Sequence, residues 1–212
     1  MTKSRHKNTG TVTGADTDAA RGGDGASSRV WHLLGWGAAA YYEKRMFDAD
    51  DLLGDDPRRE FERLLVTRCR AGGAFALMLV DLDGFADVSA RVGAPTADLL
   101  LYEVASRLRE MLSEHDAVMR SGNGEFAIFV RGMERVQNAK RLANQLIERV
   151  ERPLTVSGTR FRLSASIGIT LSPRQSGEWR LLLQDADEAV YDAKKQGRGH
   201  ISISSAPPKR RR

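Results

Sequence analysis

Asp81 and Asp83 close an almost unbroken apolar run, Phe75 to Leu82, and carboxylates in such a place can do chemistry. An acid at a strand end that faces a hairpin turn can begin a magnesium site. Mg²⁺ takes near-octahedral oxygen ligation from one or two carboxylates, completed by phosphate oxygens, so a second acid has to come from the hairpin. Downstream, Gly122-Asn123-Gly124 supplies the turn, because Asn and Gly tolerate positive φ. No acid stands within those three residues. Glu125 follows, and in a regular strand it points to the opposite face from Gly124. The competing readings are a solvated strand-end pair for Asp81 and Asp83, and a simple turn for Gly122 to Gly124.

Three further charged residues are candidates. Asp98 falls in the first turn of a predicted helix, where any carboxylate complements the helix dipole. Lys194 and Arg198 stand four apart at a predicted helix C-terminus, where cations are favoured in any case. The histidines His6, His32, His115 and His200 have no metal-ligand spacing, and no Ser/His/Asp arrangement is suggested.

The elements that must position these residues follow from periodicity. Pro57 can open a helix that carries Phe61, Leu64 and Leu65 and ends near Arg70 before Gly72-Gly73. The run from Phe75 to Leu82 has the length of a strand buried on both faces. Ala97, Leu100, Leu101, Val104, Leu108, Met111 and Leu112 make one helical stripe, with Thr96 as N-cap. Ala117–Arg120 and Glu125–Val130 read as strands, and Val136 to Val150 as an amphipathic helix. A second hairpin turns at Ser157-Gly158, with Phe161 to Thr170 as its long second arm. Trp179 to Ala193 forms a last helix ending near Gly197, and Ile201 to Ile203 a final strand. This order predicts an α+β fold with a central, mostly antiparallel sheet flanked by helices.

Composition sets the surroundings. With 212 residues, 41% hydrophobic and 29% charged, the chain has room for one ordinary core plus tails. Residues 1–28 are rich in Gly, Thr, Ser, Ala and Asp and read as a disordered N-terminus. Residues 29–49 form an apolar helical lead-in with Val30, Trp31, Leu33, Leu34, Trp36, Tyr41, Tyr42 and Phe47. The apolar stretch Val30 to Tyr42 is shorter than the ~18–20 residues a membrane span needs, and the start lacks the order of a signal peptide. With Cys69 as the single cysteine, a cytoplasmic location is expected. The net charge of +5 owes four charges to Lys209–Arg212. Residues 206–212 therefore read as a basic tail and not as a nucleic-acid site, since no aromatic residues interleave with it.

Read in order, Asp81-Leu82-Asp83-Gly84-Phe85, Arg120-Ser121-Gly122-Asn123-Gly124-Glu125-Phe126, Ser166-Ile167-Gly168, and Ala186-Asp187 through Lys194 to Gly197-Arg198 resemble the landmarks of the GGDEF family. Asp50, Leu52, Gly54, Arg58, Arg59 and Phe61 resemble that family's opening segment, so the domain is placed at residues 50–205. The resemblance implies a nucleotidyl-cyclase or polymerase-palm-like fold. Active members are diguanylate cyclases, which join two GTP molecules into cyclic di-GMP on a two-fold dimer. It assigns a metal site to Asp81 and the Leu82 carbonyl. Nucleotide contacts fall to Gly84, Phe85, Ser89, Asp98, Gly122, Asn123, Lys194 and Arg198.

The departures are as specific as the matches. Gly124 stands where the family has its second metal-binding acid, and Asn123 where it has a second glycine. Ala86 replaces a phosphate-contacting lysine, Ser89 a guanine-reading asparagine, and Ala90 the aspartate after it. In the inhibitory-site motif Ser113 replaces the arginine, leaving Asp116. The resemblance thus implies a degenerate member, catalytically inactive, that binds GTP, cyclic di-GMP or a protein partner, with Mg²⁺ binding weak or absent. A protein partner is expected through residues 29–48, and a homodimer is compatible. The alternative is a weakly active diguanylate cyclase in which Glu125 takes a catalytic part.

Overall fold

A computed structural model of the chain describes residues 57–172 and 178–204. The expectations for residues 1–28, for the lead-in 29–49, for residues 50–56 and for the basic tail lie outside the described residues. Helix α1 (Pro57–Ala71) opens on Pro57, whose missing N–H is no loss in a first turn. Strand β1 (Phe75–Leu82) is the centre of the sheet. It pairs antiparallel with β3 (Glu125–Arg131) on one side and with β6 (Ala165–Ser172) on the other. Outside them lie β2 (Ala117–Arg120), antiparallel to β3, and β7 (Ile201–Ile203), parallel to β6, giving the order β2-β3-β1-β6-β7.

The unbroken apolar run of β1 is explained by burial on both sides. Ala76, Met78, Val80 and Leu82 join a core beneath α3 (Ala94–Arg109) and α4 (Val136–Glu151). Phe75, Leu77 and Leu79 join a second core beneath α1 and α5 (Trp179–Lys195). The architecture is α+β, with a mostly antiparallel sheet between two helical layers. No helix among the described residues is long and apolar enough to cross a membrane.

Four local expectations are corrected. An additional helix, α2 (Phe85–Val92), precedes the predicted stripe, and Gly93 at φ +78° separates the two. Helix α3 consequently starts at Ala94, with Gly93 as N-cap and Pro95 in its opening positions, so Thr96 is inside the helix and caps nothing. Asp98 lies beyond the first turn, out of reach of the dipole argument. The second hairpin is short: β4 (Leu154–Val156) and β5 (Thr159–Phe161) form their own two-stranded sheet. The expected arm from Phe161 to Thr170 divides because β1 ends at Leu82, opposite Ala165, leaving the residues before Ala165 no strand to continue along. Leu154, Val156 and Leu163 fold onto the α3–α4 core instead.

Gly168 sets how closely α5 approaches the sheet. A Cβ there would lie 2.1 Å from the Ala186 carbonyl oxygen and 2.4 Å from the Val190 nitrogen. Backbone rests directly on backbone, and this contact determines where the C-terminal end of α5 meets the end of β1. Gly168→Ala should therefore lower stability by about 3 kcal/mol or more. Thermal unfolding should show a melting temperature about 6–12 °C lower, and an unchanged midpoint would contradict this packing.

Candidate functional site

Asp81 sits at the end of β1 on the α1–α5 side, with Glu125 and Ser166 as its cross-strand partners. Lys194, in the last turn of α5, brings its Nζ to 2.5 Å from Asp81 Oδ2. Both side chains keep about a quarter or less of their surface exposed, 26% and 21%. An ion pair so placed contributes roughly 0–1 kcal/mol to folding, so its importance is positional. The lysine assigned to phosphate is seated on the acid assigned to metal. Asp83 is not a solvated end either. It accepts hydrogen bonds from Ser166 Oγ at 2.8 Å and from the Gly199 N–H at 3.0 Å. It thereby ties the end of β1 to the turn after α5. Arg198 lies in that turn, exposed and at φ +63°, not in the helix.

The hairpin between β2 and β3 is anchored from both ends. The Glu125 carbonyl accepts from the N–H groups of Ser121 at 2.9 Å and Gly122 at 3.3 Å, and the Gly124 carbonyl accepts from Leu82 N–H at 2.8 Å. Gly124 is buried at φ +91°, a conformation that side chains rarely adopt. A Cβ there would stand 2.9 Å from Phe85 Cβ and 3.1 Å from its Cδ1. Phe85 is 1% exposed and belongs to the core, so it yields little space. Glycine at this position is a backbone requirement.

Glu125 obeys strand alternation, and its register adds a neighbour that alternation alone does not reveal. It does point away from where a Gly124 side chain would be, yet its register opposite Asp81 puts it on the face of Asp81. Its carboxylate folds back over the turn, and a Cβ on Gly122 would meet Oε2 at 2.6 Å. Asn123 is exposed at the tip.

Asp98 accepts from Arg120 Nη1 at 3.1 Å, and Arg120 Nε donates to the Gly122 carbonyl at 3.2 Å. Arg120 thus clamps the hairpin to α3. Its role was missed in the sequence, where the available signal was a cation directly before the turn with an acid on the preceding helix. Gly84, at φ +68°, is the N-cap of α2. Ser89 is half-buried on α2, while Ala86 and Ala90 are exposed. Asp116 is 9% exposed, and both its oxygens are engaged. Oδ2 accepts from Ser113 N–H at 2.9 Å and Ser113 Oγ at 2.7 Å, and Oδ1 from Arg131 N–H at 2.8 Å.

The structure therefore assembles two groups: Asp81, Glu125 and Lys194 at one end of the sheet, and Asp98, Arg120 and Gly122 beside α3. The donor set does not match a two-metal centre. Asp81 is paired with an ammonium, Glu125 is turned over Gly122, and Gly124 offers no side chain. Among the described residues, no group of three or more His, Cys, Asp or Glu side chains is placed to hold a metal ion.

The sheet, its helical layers and an acid at the end of the central strand beside a glycine hairpin define a nucleotidyl-cyclase/polymerase-palm-like domain. The pattern of the family "Diguanylate cyclase, GGDEF domain" matches residues 58–200. The chain belongs to the GGDEF family. The crystal structure of the GGDEF domain of TpbB (YfiN) from Pseudomonas aeruginosa superposes with a TM-score of 0.67 at 32% identity, covering 70% of this chain and 96% of that one. In the same organism, the bifunctional diguanylate cyclase/cyclic di-GMP phosphodiesterase MucR is 38% identical over 137 residues, 65% of this chain and 20% of that protein. Diguanylate cyclase TpbB is 36% identical over 125 residues, 58% of this chain and 29% of that protein. The chain thus spans less than a third of these curated relatives.

The geometry of Gly124 makes a stability prediction independent of activity. Gly124→Asp should destabilise the domain by about 1–3 kcal/mol through positive φ and the clash with Phe85. A lower urea midpoint is expected, and an equal or higher one would mean that the hairpin relaxes freely around an acid.

Proposed function

We propose that this chain is a GGDEF domain of cyclic di-GMP signalling that binds a nucleotide, a protein partner or both, and does not join GTP molecules. The observation that carries the reading is Gly124: a buried glycine at φ +91° against Phe85 occupies the place of the second metal-binding acid. In palm-like chemistry two cations neutralise the triphosphate and lower the pKa of the attacking hydroxyl. Here Lys194 neutralises Asp81 from within the chain, and weak or absent Mg²⁺ binding belongs to the proposal. Arg198, exposed in the turn after α5, supplies positive charge for phosphate, and Asn123 an exposed amide. Ala86, Ser89 and Ala90 leave the phosphate and guanine contacts incomplete. The names of the relatives support cyclic di-GMP signalling as the setting.

One observation favours a second reading, a weakly active diguanylate cyclase. Glu125 lies across from Asp81 on the same face, so rotation of its side chain brings two carboxylates together. Incubation with GTP and Mg²⁺ or Mn²⁺, followed by nucleotide separation, distinguishes the two. The expected outcome is no cyclic dinucleotide above the level given by Asp81→Ala. A metal-dependent product that disappears in both Asp81→Ala and Glu125→Gln would replace the first reading with the second.

Calorimetric titration is expected to show weak GTP binding that Mg²⁺ changes by less than about tenfold, or 1.4 kcal/mol. Tight, strictly magnesium-dependent binding would count against the proposal. Gly124→Asp should not restore cyclisation, because the altered Ala86, Ser89 and Ala90 remain.

A further inference from the structure

Two lysines end α5, and the helix sends them to different places. Lys195 lies outward, its Nζ 4.2 Å from the centroid of the exposed Tyr191 ring. Lys194 is directed inward, and the packing of α5 explains where it arrives. The backbone of Val190 lies against Gly168, which pairs with Leu79 of β1. Four residues further on, α5 has risen about 6 Å. Two residues beyond Leu79, β1 has risen about 6.7 Å. Lys194 therefore comes level with Asp81, and its Nζ stands 2.5 Å from Oδ2. The close approach that glycine permits fixes this meeting; the attraction of a partly exposed pair is too weak to do so.

The ammonium stands where a cation approaching Asp81 has to bind. Mg²⁺ takes oxygen ligands at about 2.0–2.1 Å, and two positive centres on one carboxylate repel each other. Neighbouring acids do not make up the difference. Asp83 already accepts from Ser166 Oγ and from the Gly199 N–H. Glu125 is folded back over Gly122.

We infer that Lys194 is a built-in counter-ion: its ammonium takes the place of a divalent cation at Asp81, and a metal reaches that acid only when the lysine leaves it. The inference rests on the proposed reading of weak Mg²⁺ binding and puts one cause of it in α5, away from the hairpin.

Titrating the full chain with Mn²⁺ alone tests this without GTP or turnover, free Mn²⁺ being read from its electron paramagnetic resonance signal. Lys194→Gln should bind Mn²⁺ at least about tenfold more tightly than wild type. Lys194→Arg keeps the charge and should stay within about twofold of wild type. Adding Asp81→Asn to Lys194→Gln should abolish the gain. Equal affinity in Lys194→Gln and wild type, both weak, would overturn the inference and leave the proposed function standing. A gain that persists with Asp81→Asn would overturn it too, since the cation then lies elsewhere. Tight Mn²⁺ binding by wild type that is lost in Asp81→Asn would overturn both the inference and the reading of weak metal binding.

Discussion

Strand β1 is buried from both sides, and the rest of the structure depends on that constraint. Two helical layers have to be present to cover it: α3 and α4 over Met78 and Val80, α1 and α5 over Leu77 and Leu79. Once both are in place, the end of β1 is the point where the hairpin, the turn after α5 and the start of α2 converge. Asp81, Leu82 and Asp83 hold α5, the hairpin and the turn after α5, through Lys194, the Gly124 carbonyl and Gly199 respectively. The site is where the layers are joined, so a change in the packing of α5 on Gly168 is felt there directly.

The charged residues gathered at this end are turned toward one another. Lys194 meets Asp81 and Arg120 meets Asp98, while at the opposite end of the sheet Asp116 collects the Ser113 turn and the end of β3. Partly exposed pairs of this sort add little to folding energy. Their effect is to fix geometry: Arg120 bridges α3 and the hairpin, and Asp83 fixes the turn that presents Arg198. The lysine on Asp81 compensates that acid with a charge from within the chain.

Gly124 shows how firmly a single backbone position can be held. Its carbonyl is committed to Leu82 N–H, its φ is positive, and the space a Cβ would take is held by Phe85. An acid there has to move either the hairpin or a core phenylalanine. The glycine at this position and the packing around it are one feature.

Much of the fold was legible along the chain. The helices at Pro57, Val136 and Trp179 and the strands at Phe75, Ala117, Glu125 and Ile201 follow from periodicity and from Gly and Pro, which act within a few residues of themselves. The ordered motifs, from Asp81-Leu82-Asp83 to Lys194 and Arg198, were enough to indicate the family. The glycine at position 124 is likewise plain in the sequence. Only tertiary structure decided the partners: Lys194 on Asp81, Arg120 between Asp98 and Gly122, Asp83 on Gly199, and Glu125 on the face of Asp81. It also decided that β6 begins at Ala165, because a strand extends only as far as the neighbour it pairs with. These outcomes depend on register and on how near one layer comes to another, and neither quantity is written in local spacing.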